Sequence, residues 1–151
     1  MRDSRLWQVL CLLVLAGAGT ACDEKLSDLT GPTPDLTVSF ASIQREIFNT
    51  TDSSGRSACI QCHVAGGAAA GTGLILTSDV AYANLVNRPS RLRAGETLVI
   101  PGDPDRSYIV RKLEGGPDIT GLRMPRTSGP FLTEGQMAVL RRWIAQGAAN
   151  D

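Results

Sequence analysis

At 151 residues, 42% hydrophobic and only 5% aromatic, the chain has room for one modest domain once any leader is set aside. Fifteen basic residues balance fifteen acidic ones without any basic run or stripe, which argues against nucleic acid as the main partner. So few aromatic side chains leave a thin core for a domain of this size.

The chain opens on a leader pattern. Arg2 and Arg5 precede an apolar run over residues 6–15, followed by the small residues 16–21, so residues 1–21 read as a signal peptide for export. The apolar run is too short to cross a bilayer comfortably. Gly19-Thr20-Ala21-Cys22 resembles the lipobox of bacterial lipoproteins, with Gly19 standing where Leu is usual, and this implies acylation of Cys22. Residues 22–37 are polar and carry two prolines, the composition of a lipid-anchored flexible linker with a reach of roughly 20 Å. The expected location is the periplasm or the outer face of the cell envelope, tethered to membrane through Cys22, with the folded domain spanning residues 38–151.

Residues 38–49 place Phe40, Ile43, Ile47 and Phe48 at helical spacing around the polar Gln44, Arg45 and Glu46, which predicts a first helix with its apolar stripe in the core. Residues 51–57 read as a polar loop. Next comes Cys59-Ile60-Gln61-Cys62-His63, the attachment signature of a c-type haem. Two thiols with two residues between them can each add to one vinyl group, and the following imidazole can reach the iron from one face. Cys-x-x-Cys alone also suits half a zinc site or a dithiol redox pair. A zinc site needs more ligands than one His and this pair supply, and the alternation of strands and helices that accompanies a thioredoxin-like pair is missing. A covalently held haem also supplies the apolar body that the scarce aromatics do not. All four cysteines are then accounted for without a disulfide: Cys11 leaves with the leader, Cys22 takes lipid, and Cys59 and Cys62 take haem.

Residues 64–73 are rich in Gly and Ala and read as a compact loop close to the cofactor; Thr72 stands where a phosphate-binding loop needs Lys. Thr77 or Ser78 is suited to cap a short helix through Ala81, Tyr82, Leu85 and Val86. Arg88, Arg91 and Arg93 follow, each able to hold a haem propionate by paired hydrogen bonds or to stand in solvent as part of a basic loop. Asp103-Pro104 predicts a helix entrance, and residues 104–114 a helix with Tyr108, Ile109 and Leu113 inward and Gly115-Gly116 as its stop.

His63 is the only histidine, so a second imidazole from this chain cannot complete the iron's coordination. The sixth ligand is then Met, Lys, another group or nothing. Met124 lies in a loop between two predicted helices, and Pro125 keeps it out of helical geometry. Met137 is the rival, but its register with Leu140 and Ile144 puts it in the core. The last helix is the best marked: Thr133-Glu134-Gly135-Gln136 forms a capping box, and Met137, Leu140 and either Trp143 or Ile144 form a stripe before Gly147.

Together, Cys59 to His63 after a first helix, Met124-Pro125 downstream and a capped terminal helix resemble class I cytochrome c over about residues 38–150. The resemblance implies an all-α fold of four to five helices around one covalently attached haem c. It also implies that the first and last helices cross, that Cys59 and Cys62 form the thioether bonds, and that His63 and Met124 are the axial ligands. This chain lacks the lysine-rich face of the mitochondrial carriers. A closed His/Met pair leaves no open position for substrate, so the expected activity is outer-sphere electron transfer to and from redox protein partners, not catalysis. The rival readings are a haem sensor or peroxidase-like enzyme with a labile sixth ligand, and a haem-free lipoprotein with a Cys59/Cys62 thiol switch.

Overall fold

The computed structural model describes residues 31, 33, 35–126 and 129–151, so the expected signal peptide, Cys11 and Cys22 lie outside the described residues. The described chain is helical. Helix α1 (Phe40–Ile43) runs on as one wide turn over Gln44–Phe48, and α2 (Ala81–Leu85), α3 (Tyr108–Glu114) and α4 (Glu134–Ala145) follow. Short 3-10 turns form at Cys59–Gln61 and Ala70–Thr72. No β-strand is present among the described residues, only isolated bridges joining Val86 to Val99 and Pro89 to Thr97. No helix among them is long and apolar enough to cross a membrane.

Helix α1 forms where the apolar spacing places it, and its exposed first amides all find acceptors. The Ser39 hydroxyl accepts from Ser42 N, while Phe40 N and Ala41 N donate to Asp151 Oδ1 and Asp151 O at 2.7 and 2.8 Å. The residues that follow α4 therefore cap α1. The Phe40 ring joins the two further, lying 5.4 Å from the Trp143 ring and 5.2 Å from Tyr82. Phe40, Ile43, Ile47 and Phe48 are all buried, as their spacing predicts, alongside Leu85, Val110, Leu140, Trp143 and Ile144. Burying such side chains contributes about 1.5–3 kcal/mol each, so this shared cluster is a main support of the fold.

Packing also extends upstream of residue 38. Thr33 and Leu36, at the end of the segment read as linker, are buried, and Thr33 Oγ1 accepts from Gln136 Nε2 of α4 at 3.1 Å.

Two helix starts differ from expectation, each for a local reason. Residues 104–107 form a separate turn, not the start of α3: Asp103 Oδ1 accepts from Arg106 N, and Ser107 Oγ both donates to Asp103 O and accepts from Ile100 N. Those bonds hold Ser107 extended, and the first amides of α3, Tyr108 N and Ile109 N, go instead to Thr97 O and Leu98 O. Helix α2 likewise has no side-chain cap. Val80 N and Ala81 N donate to Thr77 O, and the Ser78 hydroxyl accepts from Asn49 Nδ2.

Helix α4 follows the sequence closely. Thr133 Oγ1 accepts from Gln136 N and Gln136 Oε1 accepts from Thr133 N, the reciprocal pair that satisfies two free amides at once. Gly147, at φ 102°, then takes the chain out of the helix.

Candidate functional site

The pentapeptide forms one tight turn. Gln61 N donates to Ala58 O, and both Cys62 N and His63 N donate to Cys59 O. Cys59 and Cys62 are not disulfide-bonded, and Cys62 is exposed to solvent. Cys59 is partly buried against the core with its Sγ 3.6 Å from Ile47 O. Burial pushes the Cys59 thiol up to about 11, against the opposing pull of the nearby Arg56 charge. That is the reverse of the lowered thiol on which dithiol exchange depends.

His63 is half-buried, and its Nδ1 lies 3.1 Å from Leu74 O. A carbonyl only accepts, so the hydrogen of this bond sits on Nδ1 and Nε2 keeps its lone pair. This is the arrangement by which a protein orients an imidazole toward a metal. Burial pushes the imidazole below its ordinary range, the Leu74 bond opposes this, and the Lys112 charge lowers it further. Leu76 N donates to His63 O at 2.8 Å, so the 74–76 segment holds the histidine from both its ring and its backbone. That segment is braced by Gln44, whose Nε2 donates to Leu76 O at 2.8 Å.

The Gly- and Ala-rich loop after His63 folds tightly over the same turn. Ala69 N donates to Cys62 O at 3.1 Å, and a Cβ on Gly67 would lie 2.6 Å from that carbonyl. Arg91 crosses Gly73, one residue before the Leu74 carbonyl that holds His63. Arg91 thus lies against the loop that follows the pentapeptide. Arg93 is taken up by Asp118 O at 2.6 Å and by Glu96, and Arg88 is exposed.

Met124 is half-buried against the same core cluster as Cys59, Ile60 and Leu74. Its loop is built on the end of α3. Met124 N donates to Lys112 O at 2.9 Å and Arg123 Nε to Leu113 O at 2.7 Å, filling carbonyls that a helix end leaves free. The Arg123 guanidinium lies 3.9 Å above the Phe131 ring. The Met124-Pro125 peptide bond is cis. Met137 is buried in the core, as its register predicts. Tyr108 and Trp143 are buried too: Tyr108 Oη accepts from Thr120 N, and Trp143 Nε1 donates to Ala149 O.

Two features escape a reading of the sequence. The loop over residues 51–57 looks polar, yet Asp52 and Arg56 are buried within it. Arg56 donates to Ile47 O and Glu46 O at the end of the first helix and to Asp52 Oδ2, and Gln136 Nε2 of α4 donates to Asp52 as well. This network fixes the approach to Cys59. The second feature is Lys112, a buried cation on the inner face of α3. Its signal was present, since residue 112 falls three and four positions after Ile109 and Tyr108 on the predicted inner stripe.

Among the described residues, no three His, Cys, Asp or Glu side chains converge as a bare metal-ion site. The donors instead suit a covalently held haem: two unpaired thiols, an imidazole with Nδ1 engaged and Nε2 available, and a thioether against the same core. Protein-family models, characterised proteins and solved structures offer no match to the chain.

Proposed function

We propose that the chain is a monohaem c-type cytochrome of class I architecture, acting as an electron carrier and not as an enzyme. The observation that carries this reading is the Nδ1 bond from His63 to Leu74 O, made by a residue that directly follows Cys62 and stands four after Cys59, both of them unpaired thiols. Haem c held there supplies an iron that moves between ferric and ferrous states, and thioether ligation favours the ferrous one. Cys59 and Cys62 hold the group by thioether bonds, His63 is the proximal ligand and Met124 the distal one. The helical fold, with Phe40 of α1 against Trp143 of α4, supports the same reading. A closed pair of ligands leaves outer-sphere transfer as the route, with redox proteins as donor and acceptor. Lipid at Cys22 would keep the carrier at the membrane, on the periplasmic or outer side of the envelope.

The test is to express the full chain with haem-attachment machinery and record its mass, then its reduced spectrum with and without carbon monoxide. A mass increased by one haem and a reduced spectrum indifferent to carbon monoxide are expected. Carbon monoxide binding would favour a sensor or peroxidase-like site with a labile sixth position. A mass equal to that of the polypeptide, with two titratable thiols, would leave the thiol-switch reading.

A further inference from the structure

We propose that Lys112 is the positioning residue for Met124, tying down the loop that offers the thioether; this rests on the haem reading above. Lys112 makes three hydrogen bonds to that loop, at alternate residues. Its Nζ donates to Thr120 O at 2.9 Å and to Leu122 O at 2.6 Å, and its own carbonyl accepts from Met124 N at 2.9 Å. Tyr108, one helical turn earlier, adds the acceptor for Thr120 N.

Apolar packing does little to hold residues 120–122, although Met124 itself rests against the core. Leu122 leaves 64% of its surface in solvent, and Thr120 and Gly121 are exposed. The backbone of the segment is therefore held mainly by hydrogen bonds, and two of its carbonyls, those of Thr120 and Leu122, are gathered by one ammonium group. Among the described residues no carboxylate pairs with Lys112, although its side chain is buried. A buried cation is costly unless its hydrogen bonds offset the loss of water, and charge-assisted bonds to carbonyls are the strong kind. A residue serving only to fill space on this face would be apolar, like its neighbours Ile109 and Leu113. The lysine is accounted for by what it grips.

The experiment compares the full chain with its Lys112→Met and Lys112→Gln variants, each with and without attached haem. Amide hydrogen exchange at Thr120 and Met124 is expected to quicken on the order of 10- to 100-fold, the scale of losing bonds to a charged donor, with α4 unchanged. In the haem-loaded ferric protein, the sulfur-to-iron charge-transfer band should weaken and added imidazole should bind at least about tenfold more tightly. Unchanged exchange at both amides overturns the proposal whether or not haem attaches. Faster exchange with the band and imidazole affinity unchanged also overturns it, because the loop would then be held without the ligand depending on it. A wild-type loaded protein lacking the sulfur-to-iron band overturns the haem-ligand role of Met124 itself, an outcome visible before any variant is made. Should both lysine variants fail to fold, Tyr108→Phe removes the acceptor for Thr120 N while keeping the ring, and the same readouts decide.

Discussion

Asp52 and Arg56 form an ion pair, Arg56 Nε to Asp52 Oδ2 at 2.9 Å, in which each side chain is 1% exposed. Arg56 also gathers the last carbonyls of the first helix, so the pair links that helix to the residues immediately before Cys59. Removing one partner strands the other in the interior. Arg56→Met is therefore expected to lower stability by about 3–5 kcal/mol, measured by urea unfolding. The double variant Asp52→Asn with Arg56→Met should recover part of that loss, because no lone charge remains. A double variant no more stable than Arg56→Met would mean that Arg56 matters for its carbonyl contacts alone.

The same pair makes stability depend on pH. Burial raises the Asp52 carboxyl, but hydrogen bonds from Ser54, the Arg56 amide and Gln136, with the Arg56 charge, outweigh it and hold the group below its ordinary range. A carboxyl lowered on folding contributes its full stability above the unfolded value of about 3.9 and loses it as pH falls through the folded value. The stability difference between the wild type and Asp52→Asn should thus be constant above about pH 5 and shrink below about pH 4. Other acidic groups are common to both proteins and cancel. A difference that stays flat down to pH 2 would show that folding does not lower the Asp52 carboxyl.

Much of this architecture was legible before the structure. Apolar spacing located α1, and the capping box located α4, because both signals are local. The starts of α2 and α3 were not legible, since distant backbone groups decide them: Thr97 O and Leu98 O take the first amides of α3, and no spacing rule encodes that. The polar loop before Cys59 hid its buried pair for a similar reason. Asp52 is buried by Gln136, 84 residues away, and by the carbonyls of the first helix. At the candidate site, the residue types and spacing named Cys59, Cys62, His63 and Met124. The tautomer of His63 and the bonds of Lys112 were not legible, because they depend on the carbonyls of Leu74, Thr120 and Leu122, which only the folded chain brings within reach.

Met124→Ala separates a ligand from a packing residue. The side chain is half-buried, so its truncation should cost only about 1–2 kcal/mol, less than for a fully buried methionine. The spectroscopic effect should be much larger in proportion. In the haem-loaded protein the variant is expected to have a lower reduction potential and to bind carbon monoxide where the wild type does not. Met137→Ala is the control: it should cost about 2–5 kcal/mol, because that residue is buried in the core, with the potential unchanged. An unchanged spectrum and potential in Met124→Ala would remove Met124 from the site.

Gly67 tests how closely the loop after His63 must fold over the pentapeptide. A Cβ there would meet Cys62 O at 2.6 Å and Val64 Cγ1 at 2.7 Å. The valine methyl can rotate away, but the carbonyl cannot, because it belongs to the tight turn over residues 59–63 and already accepts from Ala69 N. Gly67→Ala must therefore displace the turn or the loop, at a cost of about 1–3 kcal/mol. Gly71 has nothing within 4 Å of its added Cβ, so Gly71→Ala should be neutral or slightly stabilising. Thermal unfolding of the two variants gives the stability comparison, and the fraction of chains gaining the mass of one haem gives the functional one. Because Cys62 moves with its carbonyl, attachment should fall in Gly67→Ala and not in Gly71→Ala. Equal attachment in both, despite a lower midpoint for Gly67→Ala, would mean that the loop stabilises the domain without positioning the second thiol.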